Sequence, residues 1–320
     1  MRIVFIGASR FGLRCLEALT EVPGCRVVGV VTAPQTFSIS YRKEGVKNVL
    51  FADIAKYACE ESIPSFTVEK GMKDPGLLGR VKDLSPDCFI VIGWYHMIPK
   101  SWRDVAPAYG MHASLLPKYS GGAPLVWAIL NGEKRTGITL FLFDNGVDSG
   151  PILGQRETSV NDSDTIGSVY GRIEDLGIDL LHEYLPKLRD GNAVGQRQEE
   201  AKRTTFPQRG PEDGIIDWGM NERSLFNFVR AQTRPYPGAF SYLGSRKIYI
   251  WRCRMSERRF RNIEVAEGTL FLESESVFVA VLGGALELEE FSYENQASEE
   301  TKSEVVSRLQ TEQVLRFSSH

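Results

Sequence analysis

Residues 110–154 have the sequence GMHASLLPKYSGGAPLVWAILNGEKRTGITLFLFDNGVDSGPILG, and this stretch decides the fold and chemistry that we predict. His112 ends a short apolar strand and is followed by a Ser-Leu-Leu-Pro turn and a glycine-rich loop. Asp148 follows a second strand, inside a turn flanked by glycines. An imidazole and a carboxylate held at two strand-to-loop junctions are suited to general acid and base chemistry at a small acyl centre.

The sequence before this stretch alternates short apolar strands with amphipathic helices. Strands are predicted at residues 2–6, 27–31 and 88–92, with one helix after the glycine loop GASRFG and another over residues 49–61. This alternation predicts an α/β domain with a doubly wound parallel sheet. A long amphipathic helix over residues 165–188, ended by Asp190-Gly191-Asn192, is predicted to close the domain, which covers residues 1–192.

Beyond residue 192 the composition of the chain changes. Residues 193–204 are polar and are predicted to form a linker. Residues 205–294 are predicted to form a small antiparallel barrel, with short strands at 239–243, 247–253, 268–272, 277–282 and 285–291. Residues 295–320 are polar and are predicted to form a tail, with room for one helix.

Composition and charge argue against several classes of protein. The 320-residue chain has 38 Lys and Arg against 41 Asp and Glu, and its formal charge of -3 argues against a broad surface for nucleic acid. The five cysteines are scattered without a Cys-x-x-Cys pair, so neither a metal site nor a disulfide framework is indicated. No apolar run reaches membrane-spanning length, and we predict a cytoplasmic protein. A local basic cluster consists of Arg252, Arg254, Arg258, Arg259 and Arg261.

The loop at residues 7–12 argues against a nicotinamide enzyme. A dinucleotide fingerprint requires a middle glycine, which this loop lacks, and an acidic residue after the second strand, where the chain has Thr32-Ala33-Pro34. A phosphate loop would require Lys followed by Ser or Thr. A turn with free amides can still bind an anion, so Ser9 and Arg10 are candidates for a substrate phosphate, with helix capping as the alternative.

The stretch at residues 110–154 resembles the catalytic block of the folate-dependent formyltransferases, the family that includes methionyl-tRNA formyltransferase and the sugar N-formyltransferases. The matching residues are His112, Ser114, Leu115, Leu116, Pro117, Thr136, Gly137, Thr139, Asp148 and Gly150. DGIIDW (213–218) and RPYPGAF (234–240) resemble the C-terminal domain of these enzymes, so the resemblance extends to about residue 291. It implies a Rossmann-like formyltransferase domain followed by a small OB-like barrel.

The resemblance also implies the reaction and a set of site residues. A formyl group would pass from 10-formyltetrahydrofolate to an amine, with His112 and Asp148 as the catalytic residues and without a metal. The residues implied at the folate are Trp94, Tyr95, His96, Met97, Ile98, Asn145 and Asp148. The residues that we assign to the second substrate are Ser9, Arg10, Lys70, Ser114, Lys118 and Tyr119.

One catalytic position departs from the family pattern. Gly110 stands where the family has an Asn whose amide binds the formyl oxygen, and removing one such donor typically costs about 2.7–4 kcal/mol. Protonated His112, His96 or a water in the space of the missing side chain could replace the amide; otherwise the protein is slow or inactive. We favour the water, which predicts that Gly110→Asn is tolerated.

The acidic chain favours a nucleotide-linked amino sugar over tRNA as the acceptor, because a tRNA enzyme needs an electropositive surface. The variant of residues 111–124 resembles formyltransferases of the pseudaminic-acid type. The alternatives are a methionyl-tRNA formyltransferase, a folate-binding or carrier-protein-binding module without turnover, and a hydrolase that releases formate. The sequence leaves the sugar, its nucleotide and assembly as a homodimer open.

Overall fold

A computed structural model describes residues 1–39, 42–69, 71–256, 265–311 and 314–318. Lys70, Arg258, Arg259 and Arg261 lie outside the described residues. The chain divides into two compact units. The first unit comprises Met1–Gly121, Thr136–Thr158 and Gly171–Phe206, and the second comprises Gly122–Arg135, Ser159–Tyr170 and Pro207–His320. The domain limits that we place at residues 192, 204 and 294 stay predictions.

The helices and strands follow one another in an order typical of an α/β unit and then a β-rich unit. Up to residue 121 they are β1 (Arg2–Ile6), α1 (Arg10–Thr20), β2 (Arg26–Thr32), β3 (Thr36–Ile39), β4 (Arg42–Lys47), α2 (Ile54–Glu60), β5 (Ser65–Thr67), α3 (Pro75–Asp83), β6 (Cys88–Val91), α4 (Lys100–Arg103), β7 (Ala108–His112) and β8 (Ser120–Gly121). They continue with α5 (Pro124–Leu130), β9 (Arg135–Leu142), β10 (Ile152–Ser159), α6 (Ile166–Arg189) and β11 (Thr205–Phe206). The remainder are α7 (Glu222–Gln232), β12 (Ala239–Leu243), β13 (Arg246–Met255), β14 (Thr269–Glu273), β15 (Ser276–Val281), β16 (Gly284–Tyr293), α8 (Ser298–Gln310) and β17 (Leu315–Ser318).

The main sheet has seven strands among the described residues, in the order β10-β9-β7-β6-β1-β2-β5. The strands from β5 to β7 in this order run parallel, which confirms the predicted parallel sheet. β9 pairs antiparallel with β7 and sets Thr139 opposite His112. This register brings the Thr139 hydroxyl within reach of the loop that follows His112.

Two helices near the amino terminus depart from or refine the sequence prediction. Ser9 is buried, and its Oγ accepts a hydrogen bond from Gly12 N at 3.1 Å, so Ser9 is the N-cap of α1. The helix predicted from residue 49 begins only at Ile54, because the chain before it makes other hydrogen bonds. Asn48 Oδ1 accepts from Leu50 N at 2.9 Å, and the Leu50 carbonyl accepts from Arg10 N at 2.8 Å. The long helix α6 lies within one residue of its predicted ends.

Residues 196–206, which include most of the predicted linker, are hydrogen-bonded to the first unit. Gln196 and Ile152 exchange two backbone hydrogen bonds at 2.7 and 2.8 Å. β11 pairs in parallel with β8, with Thr205 opposite Ser120 and Phe206 opposite Gly121. These residues therefore pair with the first unit through backbone atoms, which their polar composition does not reveal.

The second unit contains a closed antiparallel barrel, which confirms the predicted barrel but with one more strand. Its order among the described residues is β12-β13-β16-β15-β14-β17. The sixth strand, β17, comes from the segment that we predict to be a polar tail, as does α8. Leu315 and Phe317 are buried whereas Arg316 between them is exposed, so the strand alternates as a barrel strand should. The strand has only four residues within a polar segment, and so short an alternation does not predict a strand from the sequence.

The two C-terminal motifs contact each other across the start of the barrel. Ile216 N donates to the Phe240 carbonyl at 2.8 Å, and Trp218 Nε1 donates to Ser241 Oγ at 3.0 Å. Trp218 also stacks on Phe317 with ring centroids 4.8 Å apart. DGIIDW and RPYPGAF therefore pack the barrel core, and β17 is part of that packing.

Candidate active site

His112 lies at the carboxyl end of β7 with an oxygen atom facing each ring nitrogen. Its Nε2 lies 2.7 Å from the Tyr119 carbonyl oxygen, and because a carbonyl only accepts, Nε2 carries the proton and donates. Its Nδ1 lies 3.5 Å from Asp148 Oδ2. The two side chains are only 10% and 16% exposed. In the neutral imidazole, Nδ1 is therefore the basic atom, and it faces the carboxylate.

Asp148 lies in the loop between β9 and β10, in a left-handed conformation with a φ of 50°. Its Oδ2 accepts a hydrogen bond from Gly121 N at 2.8 Å. The adjoining turn is stabilised by Asp144 Oδ1, which accepts from Gly146 N at 2.9 Å and from Ser149 Oγ at 2.6 Å. The carboxylate is thus directed by its backbone turn and held by an amide of the glycine-rich loop.

The loop after His112 is held by side chains that sequence reasoning assigns to a substrate. Ser114 is buried, and its Oγ donates to the Lys118 carbonyl at 2.7 Å. Thr139 Oγ1 donates to the Ser114 carbonyl at 2.6 Å, which is the consequence of the β7–β9 register. Tyr119 is buried with a φ of 57° and stacks on Phe206 at 4.8 Å, whereas Lys118 is exposed. In this structure Ser114 and Tyr119 shape the loop, and Lys118 is left accessible.

The space beside Gly110 is occupied by an aromatic ring. A Cβ atom built on Gly110 would contact the ring of Phe143, at 2.7 Å from Cζ, and would lie 3.0 Å from the Val91 carbonyl oxygen. Phe143 in turn packs on Phe141, with centroids 5.0 Å apart, and on the buried cluster under the sheet. The expectation that a water occupies this space is therefore wrong, because the ring fills the direction in which an Asn side chain would extend.

The loop after β6 forms an aromatic wall with Phe37. The ring of His96 lies 5.4 Å from that of Phe37 and 5.3 Å from that of Trp94. Burial lowers the pKa of the His96 imidazole, so this ring is neutral at pH 7. Tyr95 Oη donates to Asn48 Oδ1 at 3.0 Å. Trp94 Nε1 is buried and has no hydrogen-bond acceptor among the described residues.

The remaining residues of the predicted folate and substrate sets differ in accessibility. Met97 is 57% exposed, whereas Ile98 is buried in the core under the sheet. Asn145 is exposed, and its Oδ1 accepts from Arg103 Nη2 at 2.8 Å. Arg10 is exposed at the start of α1, next to the capping Ser9. The hydroxyl of Ser9 caps α1, which is the alternative role predicted from the sequence.

Three residues of the 196–206 segment contact the candidate site and were missed by sequence reasoning. Gln198 contacts the Asp148 turn, Arg203 contacts Ser120, and Thr204 contacts the backbone of Tyr119. Their partners are mostly backbone groups distant in sequence. No periodicity or motif of a single sequence marks such contacts.

The basic cluster of the second unit is matched by acidic side chains where the structure describes it. Arg252 Nε lies 2.9 Å from Glu289 Oε2 on the neighbouring strand. Arg254 pairs with Glu287 and lies 3.6 Å from Glu289. Among the described residues, no group of three His, Cys, Asp or Glu side chains could hold a metal ion, and no helix is long and apolar enough to cross a membrane.

Comparison with known proteins defines the class to which this protein belongs. The formyl transferase profile matches residues 1–185, and the profile of the formyl transferase C-terminal domain matches residues 209–304. The chain therefore belongs to the formyltransferase family, and it is a folate-dependent formyltransferase.

The similar proteins include methionyl-tRNA formyltransferases and a sugar N-formyltransferase. A methionyl-tRNA formyltransferase of Thermodesulfovibrio yellowstonii is 36% identical over 258 residues, which is 80% of this chain and 80% of the relative. The N-formyltransferase from Helicobacter canadensis, solved with folinic acid and dTDP-3-aminofucose, superposes with a TM-score of 0.62 at 16% identity, covering 89% of this chain and 98% of its own. Methionyl-tRNA formyltransferase from Clostridium thermocellum superposes with a TM-score of 0.53 at 20% identity, covering 80% and 94%. The two structural likenesses show the fold.

Proposed function

We propose that this formyltransferase moves a formyl group from 10-formyltetrahydrofolate to the amine of a nucleotide-linked amino sugar, and that His112 and Asp148 carry the proton. The observation that supports these roles is the 3.5 Å approach of His112 Nδ1 to Asp148 Oδ2, between two loops held by backbone hydrogen bonds. The five cysteines are free thiols, which fits the reducing cytoplasm as the compartment.

The proton chemistry follows from the tautomer of His112. An amine that attacks the formyl carbon becomes acidic and must lose a proton, which Nδ1 of the neutral imidazole can accept. The Asp148 carboxylate then faces the resulting imidazolium and stabilises its charge. The proton can afterwards pass to the leaving nitrogen of the folate. Because Nε2 stays bonded to the Tyr119 carbonyl, the ring keeps its orientation through both transfers.

The formyl oxygen must take its hydrogen bond from a group other than a side chain at position 110. We propose that the loop with Trp94, Tyr95 and His96 binds the folate and is where such a donor is found. Trp94 Nε1 supports this assignment, since an acceptor on a bound ligand would satisfy a buried N–H that otherwise has no partner among the described residues. Neutral His96 carries one N–H and is the second candidate.

Two observations favour a sugar acceptor over tRNA. The chain has a net charge of -3, and the described arginines of the barrel strand are paired with glutamates. Phosphate binding by these arginines would have to break those pairs, whereas binding to tRNA depends on cations that are free to replace counterions. Methionyl-tRNA remains the second candidate acceptor because relatives of that name are 34–36% identical to this chain.

An assay of donor consumption against a panel of nucleotide-linked amino sugars, with methionyl-tRNA as a parallel acceptor, tests the proposal. We expect tetrahydrofolate to form only with an amino sugar, together with a product heavier by one formyl group. Formate release without an acceptor would instead establish a hydrolase. Folate binding without turnover of any acceptor would establish a binding module, and transfer to methionyl-tRNA would establish the second candidate.

The roles of the catalytic pair are tested with His112→Ala. We expect turnover to fall at least about a hundredfold with little change in folate affinity, as for the loss of a positioned base. His182→Ala is the matched control, because His182 is exposed on α6. Turnover near that of the wild type in His112→Ala would exclude the assignment.

A further inference from the structure

The segment at residues 196–206, which we name the strap, contacts both loops of the candidate active site. Gln198 Nε2 donates to the Asp148 carbonyl at 2.8 Å and to the Gly150 carbonyl at 2.7 Å. These two carbonyls belong to the left-handed turn that directs the Asp148 carboxylate. A single amide therefore holds both ends of that turn.

Arg203 connects the two loops and orients Gln198. Its Nη1 donates to Ser120 Oγ at 2.7 Å and lies 3.4 Å from the Val147 carbonyl, so it contacts the residue before Gly121 and the residue before Asp148. Its Nη2 lies 3.4 Å from Gln198 Oε1. Because a guanidinium only donates, this contact directs Oε1 toward Arg203 and leaves Nε2 facing the carbonyls.

The strap also contacts the partner of His112. Thr204 Oγ1 accepts a hydrogen bond from Tyr119 N at 2.9 Å, and the Thr204 carbonyl accepts from Ser120 N at 2.9 Å. The Tyr119 carbonyl is the acceptor that fixes His112 Nε2. The strap is therefore hydrogen-bonded both to the loop that follows His112 and to the turn that contains Asp148.

We propose that Gln198 is a positioning residue, which holds the Asp148 turn at the correct distance from His112 for formyl transfer. This inference rests on the roles of His112 and Asp148 under the proposed function. Gln198 touches neither reacting group and acts through the backbone carbonyls of Asp148 and Gly150. A displacement of about 1 Å in such a site can cost on the order of a hundredfold in rate.

The test compares Gln198→Ala with Gln196→Ala. Gln196 lies two residues away in the strap, its side chain is exposed, and its contact with Ile152 is made by backbone atoms. In Gln198→Ala we expect kcat to fall about ten- to a hundredfold with an unchanged KM for the folate. Gln198→Glu keeps the size of the side chain but removes its N–H donor, so we expect the same decrease of kcat. Wild-type kcat in Gln198→Ala, or an equal loss in Gln196→Ala, would overturn the proposal.

A combination with Asp148→Asn separates positioning from a general loss of structure. If Gln198 acts through Asp148, adding Gln198→Ala to Asp148→Asn should lower kcat little further. Fully additive losses, or a kcat loss in Gln198→Ala that is matched by a lower folate affinity and a lower Tm, would indicate a merely structural residue.

A readout independent of activity distinguishes failure of this inference from failure of the proposed function. The imidazole resonances of His112, assigned by their disappearance in His112→Ala, should shift in Gln198→Ala and not in Gln196→Ala. If they shift but no acceptor is formylated by the wild type, the proposed function fails and the positioning stands. If transfer occurs and both kcat and the resonances are unchanged in Gln198→Ala, the positioning fails.

Discussion

At the scale of single residues, Gly110 departs from the family pattern, and the ring of Phe143 lies beside it. Glycine at position 110 makes room for the ring, and the ring then excludes any larger side chain there. Gly110 lies on β7 and Phe143 directly follows β9, so the absence of a side chain at one position matches the ring at the other. An aromatic ring lies where the family pattern would place the side chain of an Asn. Under the proposed function, hydrogen bonding to the formyl oxygen comes from another group.

We expect Gly110→Asn to lower the unfolding free energy by about 1–3 kcal/mol, the usual cost of overpacking, and to lower turnover as well. Gly171→Asn is the matched control, because a Cβ at Gly171 would meet nothing within 4 Å. Urea unfolding measures the unfolding free energy of both variants, and the assay of donor consumption measures their turnover. The double variant Gly110→Asn/Phe143→Ala should lose less unfolding free energy than the two single variants lose together, because removing the ring relieves the clash. Higher turnover in Gly110→Asn would contradict this account.

His96 provides a pH-dependent prediction at the same scale. Burial lowers its pKa in the folded protein, so below the ordinary value of about 6.5 the unfolded chain binds a proton that the folded chain does not. Its contribution to stability is therefore fully present above pH 6.5 and is lost as the pH falls toward the lowered pKa. Thermal unfolding between pH 7 and 5 should show a smaller decrease of Tm for His96→Phe than for the wild type. The same decrease of Tm in both proteins would contradict the lowered pKa of His96.

At the scale of elements, β17 closes the barrel from a segment that is polar in sequence. It pairs with β12 on one side and β14 on the other, so both neighbours would have free edges without it. α8, immediately before it, buries Val305 against the same core. α8 and β17 are thus part of the fold of the second unit.

Phe317→Ala should therefore destabilise the barrel by about 3–5 kcal/mol, because the ring is buried and stacks on Trp218. Arg316→Ala, an exposed neighbour on the same strand, should change stability by less than about 1 kcal/mol. Trp218 fluorescence and chemical unfolding report both variants. Equal stability of the two would mean that β17 contributes little to closure.

At the scale of the whole molecule, charge separates the two candidate acceptors. The chain is weakly acidic, and the described part of its arginine-rich strand is neutralised by Glu287 and Glu289 on the adjacent strand. A tRNA enzyme would gain most of its affinity from cations that are available to phosphates. The pairing across strands β13 and β16 opposes that use of Arg252 and Arg254.

In filter-binding titrations we expect tRNA to bind the wild type more weakly than micromolar at physiological salt. Changing Glu287 and Glu289 to Gln should strengthen binding and steepen its dependence on the logarithm of salt by about 1–2, as two arginines become available. Asp217→Asn, an exposed acidic change outside this pairing, is the control for net charge. Micromolar, steeply salt-dependent binding by the wild type would favour methionyl-tRNA as the acceptor.

The local pattern of the sequence determined much of this protein. Apolar runs with period-two or helical spacing predicted the parallel strands, α6 and five barrel strands, because such periodicities follow from which face of an element is buried. The order of His112, its turn and Asp148 likewise predicted that the two side chains meet, since each lies at a junction between a strand and a loop. Tertiary structure alone decided that Phe143 fills the space at Gly110, that the predicted linker bonds the Asp148 turn, and that β17 closes the barrel. Each of these depends on contacts between residues distant in sequence, often through backbone atoms, and a single sequence carries no periodicity from which such contacts can be predicted.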